Sequence, residues 1–286
     1  LAANTTASNN TAVGYQAGYS NTTGTPNQAF GYQALYTNTT GSDNNAFGYA
    51  ALKLNTTGAA NCAFGHVSLD ANTTGGNNAG FGHATLSDNT TGQFNTALGS
   101  SALANNTTAS QNTAVGYQAG LSNTTGADNV AVGAFALNKN TTADDNTAMG
   151  YSALEQNTTG ASNTSVGYKA LEANTTASSN TAVGYQSQYS GSTGNSNSSL
   201  GFSALLSNTD GDRNVAVGVN ALYTFNPASA GDTYNTAVGG YALFSTTTGQ
   251  YNTALGGDAL RSNTTASYNV AVGYQAGLAN TTAAQG

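Results

Sequence analysis

The sequence predicts an all-β fold: a β-solenoid, or β-roll, of about sixteen 17-residue coils with two short strands per coil, expected to be oligomeric. Three observations predict it. First, a glycine preceded by a large apolar residue recurs every 17 residues from Gly14 to Gly218. After one interval of 21 it resumes at Gly239, Gly256 and Gly273. Second, an asparagine stands four residues before every one of these glycines. Third, only 6% of residues are charged, while 16 Tyr and 9 Phe keep the register. Disordered chains are usually charged and poor in aromatics, so this composition reads as ordered.

Each position of the coil can be justified in turn, numbered from the glycine as zero. Position −4 is Asn throughout: Asn10, Asn27, Asn44, Asn61, Asn78, Asn95, Asn112, Asn129, Asn146, Asn163, Asn180, Asn197, Asn214, Asn235, Asn252 and Asn269. Stacked coils place these amides about 4.8 Å apart, a spacing that suits an internal amide ladder. Position −2 is Ala apart from Ser165, Ser199 and Gly80, and position +3 is Ala, Ser or Thr. Small residues at both places fit the inside of a thin coil.

Position −1 is always large and apolar, beginning Val13, Phe30, Phe47, Phe64, Phe81, Leu98, Val115, Val132 and Met149. Side chains alternate along a strand, so if −2 points in, −1 points out. The expectation is an outer stripe sixteen coils long, roughly 75 Å, through which chains pack on one another. Leu at +4 (Leu35, Leu52, Leu69, Leu86, Leu103) and Tyr at +1 (Tyr15, Tyr32, Tyr49, Tyr117) would widen it. The alternative is a monomer that folds both columns inside, with the glycine resetting strand parity.

The zero glycine never varies, whereas Gly at −7 becomes Ala at Ala7, Ala109, Ala143, Ala177 and Ala266. Position zero is therefore expected to need positive φ or a close backbone approach, and −7 not to. Asn-Thr-Thr begins at −10 and reads as the exposed turn. Its threonines, among them Thr5, Thr6, Thr22, Thr23, Thr39 and Thr40, are candidates for O-linked sugar. Thirteen such triplets are also formal Asn-x-Thr acceptors.

The repeat fills residues 1–286 as a single array, with a four-residue insertion near 224–227 read as a surface loop. The array is expected to be a segment of a longer chain or a stacking filament subunit. It opens at Leu1 without a Met or a charged leader, so any targeting signal is expected to have been removed or to lie outside this segment.

Chemistry has little to work with. His66 and His83 share position +1 one coil apart and read as substitutes for Tyr rather than metal ligands. Asn208, Asp210, Asp212 and Asn214 have a spacing that can wrap calcium, but no Glu follows at the twelfth loop position, and an acidic turn is the better reading. Cys62 is the single cysteine and reads as a small strand residue. No nucleophile is paired with a base, so no catalytic residue, metal or cofactor is expected. Net charge −7 with five basic residues gives no footprint for nucleic acid, and no apolar run is long enough for membrane insertion.

The string Asn-Thr-Ala-Val-Gly-Tyr-Gln-Ala at Asn10–Ala17 returns at Asn112–Ala119 and, up to its Gln, at Asn180–Gln186. It resembles the head repeats of trimeric autotransporter adhesins. The resemblance is stronger to the Asn-Thr-Ala-x-Gly-Tyr repeats of bacterial surface fibres and phage tail-fibre-like proteins, and it covers essentially the whole chain. It implies an extracellular or cell-surface β-roll fibre, commonly trimeric, acting as scaffold or adhesin. The partners it implies are further copies of the chain, side by side or head to tail, and surface glycans of a host or environment. The 17-residue coil departs from the roughly 14 residues typical of autotransporter heads, so the trimer geometry does not carry over directly. Threonine rows also raise a rival class, an ice-binding or glycan-binding solenoid, although adjacent threonines suit ice less well than Thr-x-Thr.

Overall fold

The computed structural model describes residues 1–282 and divides into two compact units, Leu1–Asp144 and Asp145–Gly286. Each is a parallel β-solenoid built on the same coil. The first contains eight three-residue strands: Thr11–Val13, Gln28–Phe30, Asn45–Phe47, Cys62–Phe64, Ala79–Phe81, Thr96–Leu98, Thr113–Val115 and Val130–Val132. The second contains eight more: Thr147–Met149, Thr164–Val166, Thr181–Val183, Ser198–Leu200, Val215–Val217, Thr236–Val238, Thr253–Leu255 and Val270–Val272. Pairing joins equivalent positions, for example Ala46 to Ala63 and Phe47 to Phe64 in the first unit. In the second, Ala237 pairs with Ala254 and Val238 with Leu255.

One strand per coil is present where two were expected. The stretch after the glycine is a chain of turns, because φ is positive at +2 (Ala50, φ 56) and again at +4 (Leu52, φ 51). A third left-handed residue lies at −5 (Asp43, φ 59). Such residues cost about 1–2 kcal/mol each, and hydrogen bonds between coils around the whole circumference offset that cost.

The coil centred on Gly31 shows how. Its Gln28 N–H donates to the Asn44 carbonyl at 2.8 Å, and its Leu35 N–H to the Ala51 carbonyl at 3.0 Å, both in the following coil. Gly31 N–H and Gln33 N–H donate backwards, to the carbonyls of Val13 (2.8 Å) and Tyr15 (2.9 Å). Thr37 and Thr39 donate forwards again, to Lys53 (3.0 Å) and Thr56 (2.9 Å). Turns and strand are thus held by one axial network, which satisfies backbone groups that a thin coil could not leave bare.

The core is narrow. Ala at −2 and Ala at +3 are buried (Ala46, Ala51, Ala97, Ala102). Leu at +4 is buried as well, with Leu52 and Leu69 wholly inaccessible. This corrects the expectation that Leu35, Leu52, Leu69, Leu86 and Leu103 widen the outer stripe: the left-handed residues at +2 and +4 break strand alternation and turn the leucine inward. Each such side chain contributes about 1.5–3 kcal/mol by burial. Where −2 is glycine (Gly80), the flanking +3 residues are hydroxylic, with Ser68 Oγ 2.8 Å from Thr85 Oγ1 and donating to the Gly80 carbonyl at 3.0 Å.

The zero glycine carries two constraints at once. Its φ is +124° at Gly14 and +149° at Gly65, a range that L side chains rarely adopt. A Cβ on Gly14 would also lie 2.6 Å from the Gly31 carbonyl oxygen of the next coil. At −7 the backbone approach is also close, but no positive φ is required and alanine is accommodated there, buried, at Ala109 and Ala177.

The long interval of the second unit does more than bulge outward. Phe225, seven residues after Gly218, takes the place where other coils carry the −10 Asn, and it is fully buried. The extra length lets Gly231–Asp232 pair with Gly211–Asp212 in a small second sheet.

Candidate interaction face

The interior first decides what is left for the surface. Every Asn at −4 from Asn27 onward is buried. Its amide works mainly on the backbone: Asn27 Oδ1 accepts the N–H of Asn44 at 3.0 Å, while Asn27 Nδ2 donates to the Gly41 carbonyl at 2.9 Å. Amide-to-amide bonds accompany this in some coils, as from Asn61 to Asn44 at 3.2 Å and from Asn269 to Asn252 at 2.9 Å.

In the first unit a continuous amide ladder lies elsewhere, at −10, where an exposed turn was expected. Asn38 donates to Asn21 Oδ1, Asn55 to Asn38, Asn72 to Asn55 and Asn89 to Asn72, all at 2.8 Å. The second amide hydrogen closes the local turn, as from Asn72 Nδ2 to the Gly75 carbonyl at 2.9 Å. These asparagines are buried, which corrects the exposed-turn reading for Asn21, Asn38, Asn55, Asn72 and Asn89. The signal was present: −10 is Asn in all but three coils (Gly191, Phe225 and Thr246) while −7 varies.

Burial also separates the two threonines that follow. At −9 the hydroxyl is spent on the next coil: Thr22 Oγ1 donates to the Thr39 carbonyl at 2.9 Å, and Thr39 Oγ1 to Thr56 at 3.1 Å. Thr5 does the same to Thr22 at 3.0 Å. At −8 the side chain is exposed, as at Thr6, Thr23 and Thr40. One row of open hydroxyls therefore runs along the turn, flanked by a half-buried row already engaged.

The other surface feature is aromatic. Among the −1 residues, Val13 is 55% exposed and Leu98 50%. Phe64, Phe81 and Met149 are also exposed, while Phe30, Phe47, Val115 and Val132 are half-buried. Phe30, Phe47, Phe64 and Phe81 form one stack, with successive ring centroids 4.6, 4.6 and 5.2 Å apart. Two residues further along each coil runs a second stack: Tyr15, Tyr32, Tyr49, His66 and His83, spaced 5.3, 5.0, 4.9 and 5.2 Å. The +1 side chains are exposed and the glycine track lies between the two columns. In-register parallel pairing imposes this, because equal positions recur at the coil spacing. In the second unit Tyr151, Tyr168, Tyr185 and Phe202 repeat the outer stack.

The remaining candidates do not converge. Asn208 and Asn214 are buried, whereas Asp210 and Asp212 lie nearer the surface and accept hydrogen bonds from Thr193 and from the N–H of Asn195. The four residues of the proposed calcium spacing therefore do not share one side of the chain. Among the described residues no group of three or more His, Cys, Asp or Glu is placed to hold a metal ion. Cys62 is a half-buried strand residue with a free thiol. No helix of the described residues is long and apolar enough to cross a membrane.

Charge is sparse and local. Lys169 pairs with Glu172 at 3.1 Å, and that hydrogen bond raises the ammonium pKa. Arg213 pairs with Asp232, whose negative charge holds the guanidinium pKa up. At Asp70 burial raises the carboxyl pKa, and Oδ1 has no hydrogen-bond partner. Comparison with protein-family models, with curated proteins and with solved structures finds no match to this chain.

Proposed function

We propose that this chain is a structural element of an extracellular or cell-surface fibre, assembled through its apolar −1 column, with no catalytic role. The observation that carries the reading is the exposed column itself, the Phe30–Phe81 stack and its continuation through Leu98 in the first unit. Soluble monomers rarely leave contiguous apolar patches larger than a few hundred Å² open to water. A second copy packed along the column would remove that cost. The coil itself supplies the mechanical properties a fibre needs, because each coil is tied to the next at strand, turn and core.

The −8 threonine row is the natural place for O-linked sugar, since its hydroxyls are exposed while the −9 hydroxyls are engaged and the −10 amides are buried. Sugar there would supply the solubility that charge does not. An adhesive role through the same repeated surface, toward host or environmental glycans, would act by avidity, since one weak site recurs in every coil.

The experiment is sedimentation equilibrium and side-chain-resolution imaging of assembled material, with intact mass on the native protein. Copies meeting along Phe30, Phe47 and Leu98 are expected. A strictly monomeric protein at high concentration would remove the fibre reading, and an intact mass equal to the sequence mass would remove the sugar.

A further inference from the structure

We infer that self-association through the aromatic face of the first unit is switched by pH, with His66 and His83 as the switch and a second copy of this chain as the partner. The inference rests on the self-association reading above and goes beyond it by naming the regulation of that face.

The phenylalanine stack and the Tyr32–His83 run of the +1 stack together present eight rings over four coils. An aromatic side chain offers about 150–250 Å². Taking roughly two-fifths of that as still open gives on the order of 600 Å² per copy, and the neighbouring Tyr15 and Leu98 extend it toward the ~800 Å² per partner of a stable interface. No Lys, Arg, Asp or Glu occurs at −1 or +1 in these coils, so neither column carries a fixed charge that would have to be desolvated when it is covered.

The histidines are the exception that acid exposes. Their rings are stacked 5.2 Å apart, and His66 also stacks on Tyr49 at 4.9 Å. Histidine is the side chain whose charge generally changes between about pH 5 and pH 8. Protonating both would place two like charges side by side on the apolar face that the partner covers, each losing its water when the partner docks. The groups facing them offer little compensation. Tyr49 stacks on one side, the Ser100 coil lies beyond His83, and the Asp70 carboxylate reaches His66 electrostatically. Lys53 and Asp88 bear in turn on Asp70, with opposite signs. Proton uptake therefore opposes association: the interface is complete near neutral pH and weakens as pH falls.

The sequence supplies its own control, since tyrosine is the common +1 residue from Tyr15 to Tyr185. The test is sedimentation equilibrium between about pH 8 and about pH 5 on the wild-type chain, the His66→Tyr/His83→Tyr double variant and Phe47→Glu, each checked for an unchanged circular dichroism spectrum. The expected result is at least a tenfold weaker association of the wild type in acid, no such loss in the double variant, and loss of association at both pH values in Phe47→Glu. Association that ignores pH, or a double variant as acid-sensitive as wild type, overturns the switch and leaves self-association standing. Unchanged association of Phe47→Glu overturns the assignment to this face. A wild type that is monomeric throughout removes the fibre reading and the switch with it.

Discussion

Two stretches of the −10 column behave differently, and the difference shows what holds such a coil together. From Asn21 to Asn140 in the first unit every coil contributes an amide. Donors and acceptors are matched one to one along the run from Asn38 to Asn106. In the second unit the column breaks at Gly191, Phe225 and Thr246. The first break leaves a signature: Asn174 Oδ1 has lost its donor, and the neighbouring Gln188, in the place of the core leucine, is fully buried with neither amide atom paired. The second is filled by an apolar ring, Phe225, and Asn208 turns its oxygen to its own loop at Gly211, 2.9 Å away. An apolar replacement that fills the space is tolerated, whereas a polar group without a partner is costly. The second unit is thus expected to open first at the coil of Gln188.

The largest effect is expected at the glycine track, which both units share. Gly48→Ala forces a Cβ into φ +141° and against the next coil's backbone, and is expected to cost at least about 3 kcal/mol. Thermal or denaturant unfolding reads this, and the equivalent change at Gly167 (φ +137°) should cost a similar amount.

A second test acts on the ladder alone. Asn72→Ala removes two donated bonds and takes from Asn89 the acceptor at Asn72 Oδ1, 2.8 Å away, leaving its amide only the Gly92 carbonyl. A loss of about 2–4 kcal/mol is expected. Asn208→Ala, which has no ladder partner on either side, should cost visibly less. Equal losses at the two sites would mean that the cross-coil amide bonds add nothing to the local turn.

Repair is the complementary experiment. Gln188→Leu with Gly191→Asn rebuilds the leucine and amide columns, and is expected to gain about 1–3 kcal/mol. Hydrogen exchange of the amides at 188–209 should slow toward the rates seen at 52–89. Unaltered exchange would show that this coil is not the weak point.

The smallest effect is expected at Asp70. Burial raises its pKa above the ordinary carboxylate range, so the folded state holds the proton more tightly than the unfolded chain does. Its contribution is most favourable in acid and is lost as pH rises from the ordinary carboxylate value through the raised one. Asp70→Asn should therefore melt slightly higher than wild type at neutral pH, and the difference should shrink in acid. A gain that persists below the carboxylate range would point to a cause other than ionisation.

Much of this molecule was legible in the sequence because a fixed period carries its own geometry. The 17-residue interval of Gly14, Gly31 and Gly48 fixed stacking, register and the glycine constraint, and the small residues at −2 and +3 marked the interior. What escaped was the path between Gly48 and Asn55. Alternation predicts side-chain direction only while φ stays in the extended region, and Ala50 and Leu52 leave it. Leu52 consequently faces inward, and Asn55, two turns on, faces inward as well.

Residue order is enough to give the coil's length, its repeat and the residues that recur at each level, whereas the outward direction of the −1 column follows from the structure, in which Val13 and Leu98 are exposed. Periodicity is a local property, and identical positions must lie over one another whatever the cross-section. The tertiary structure alone decided which side of the wall each turn residue occupies. That choice depends on left-handed residues whose cost is met only by hydrogen bonds from neighbouring coils, so it cannot be made until the stack exists. Within the first unit the same stacking drew the −10 amides from Asn21 onward inside and left the −8 threonine hydroxyls and the +1 rings of Tyr15 to His83 facing out.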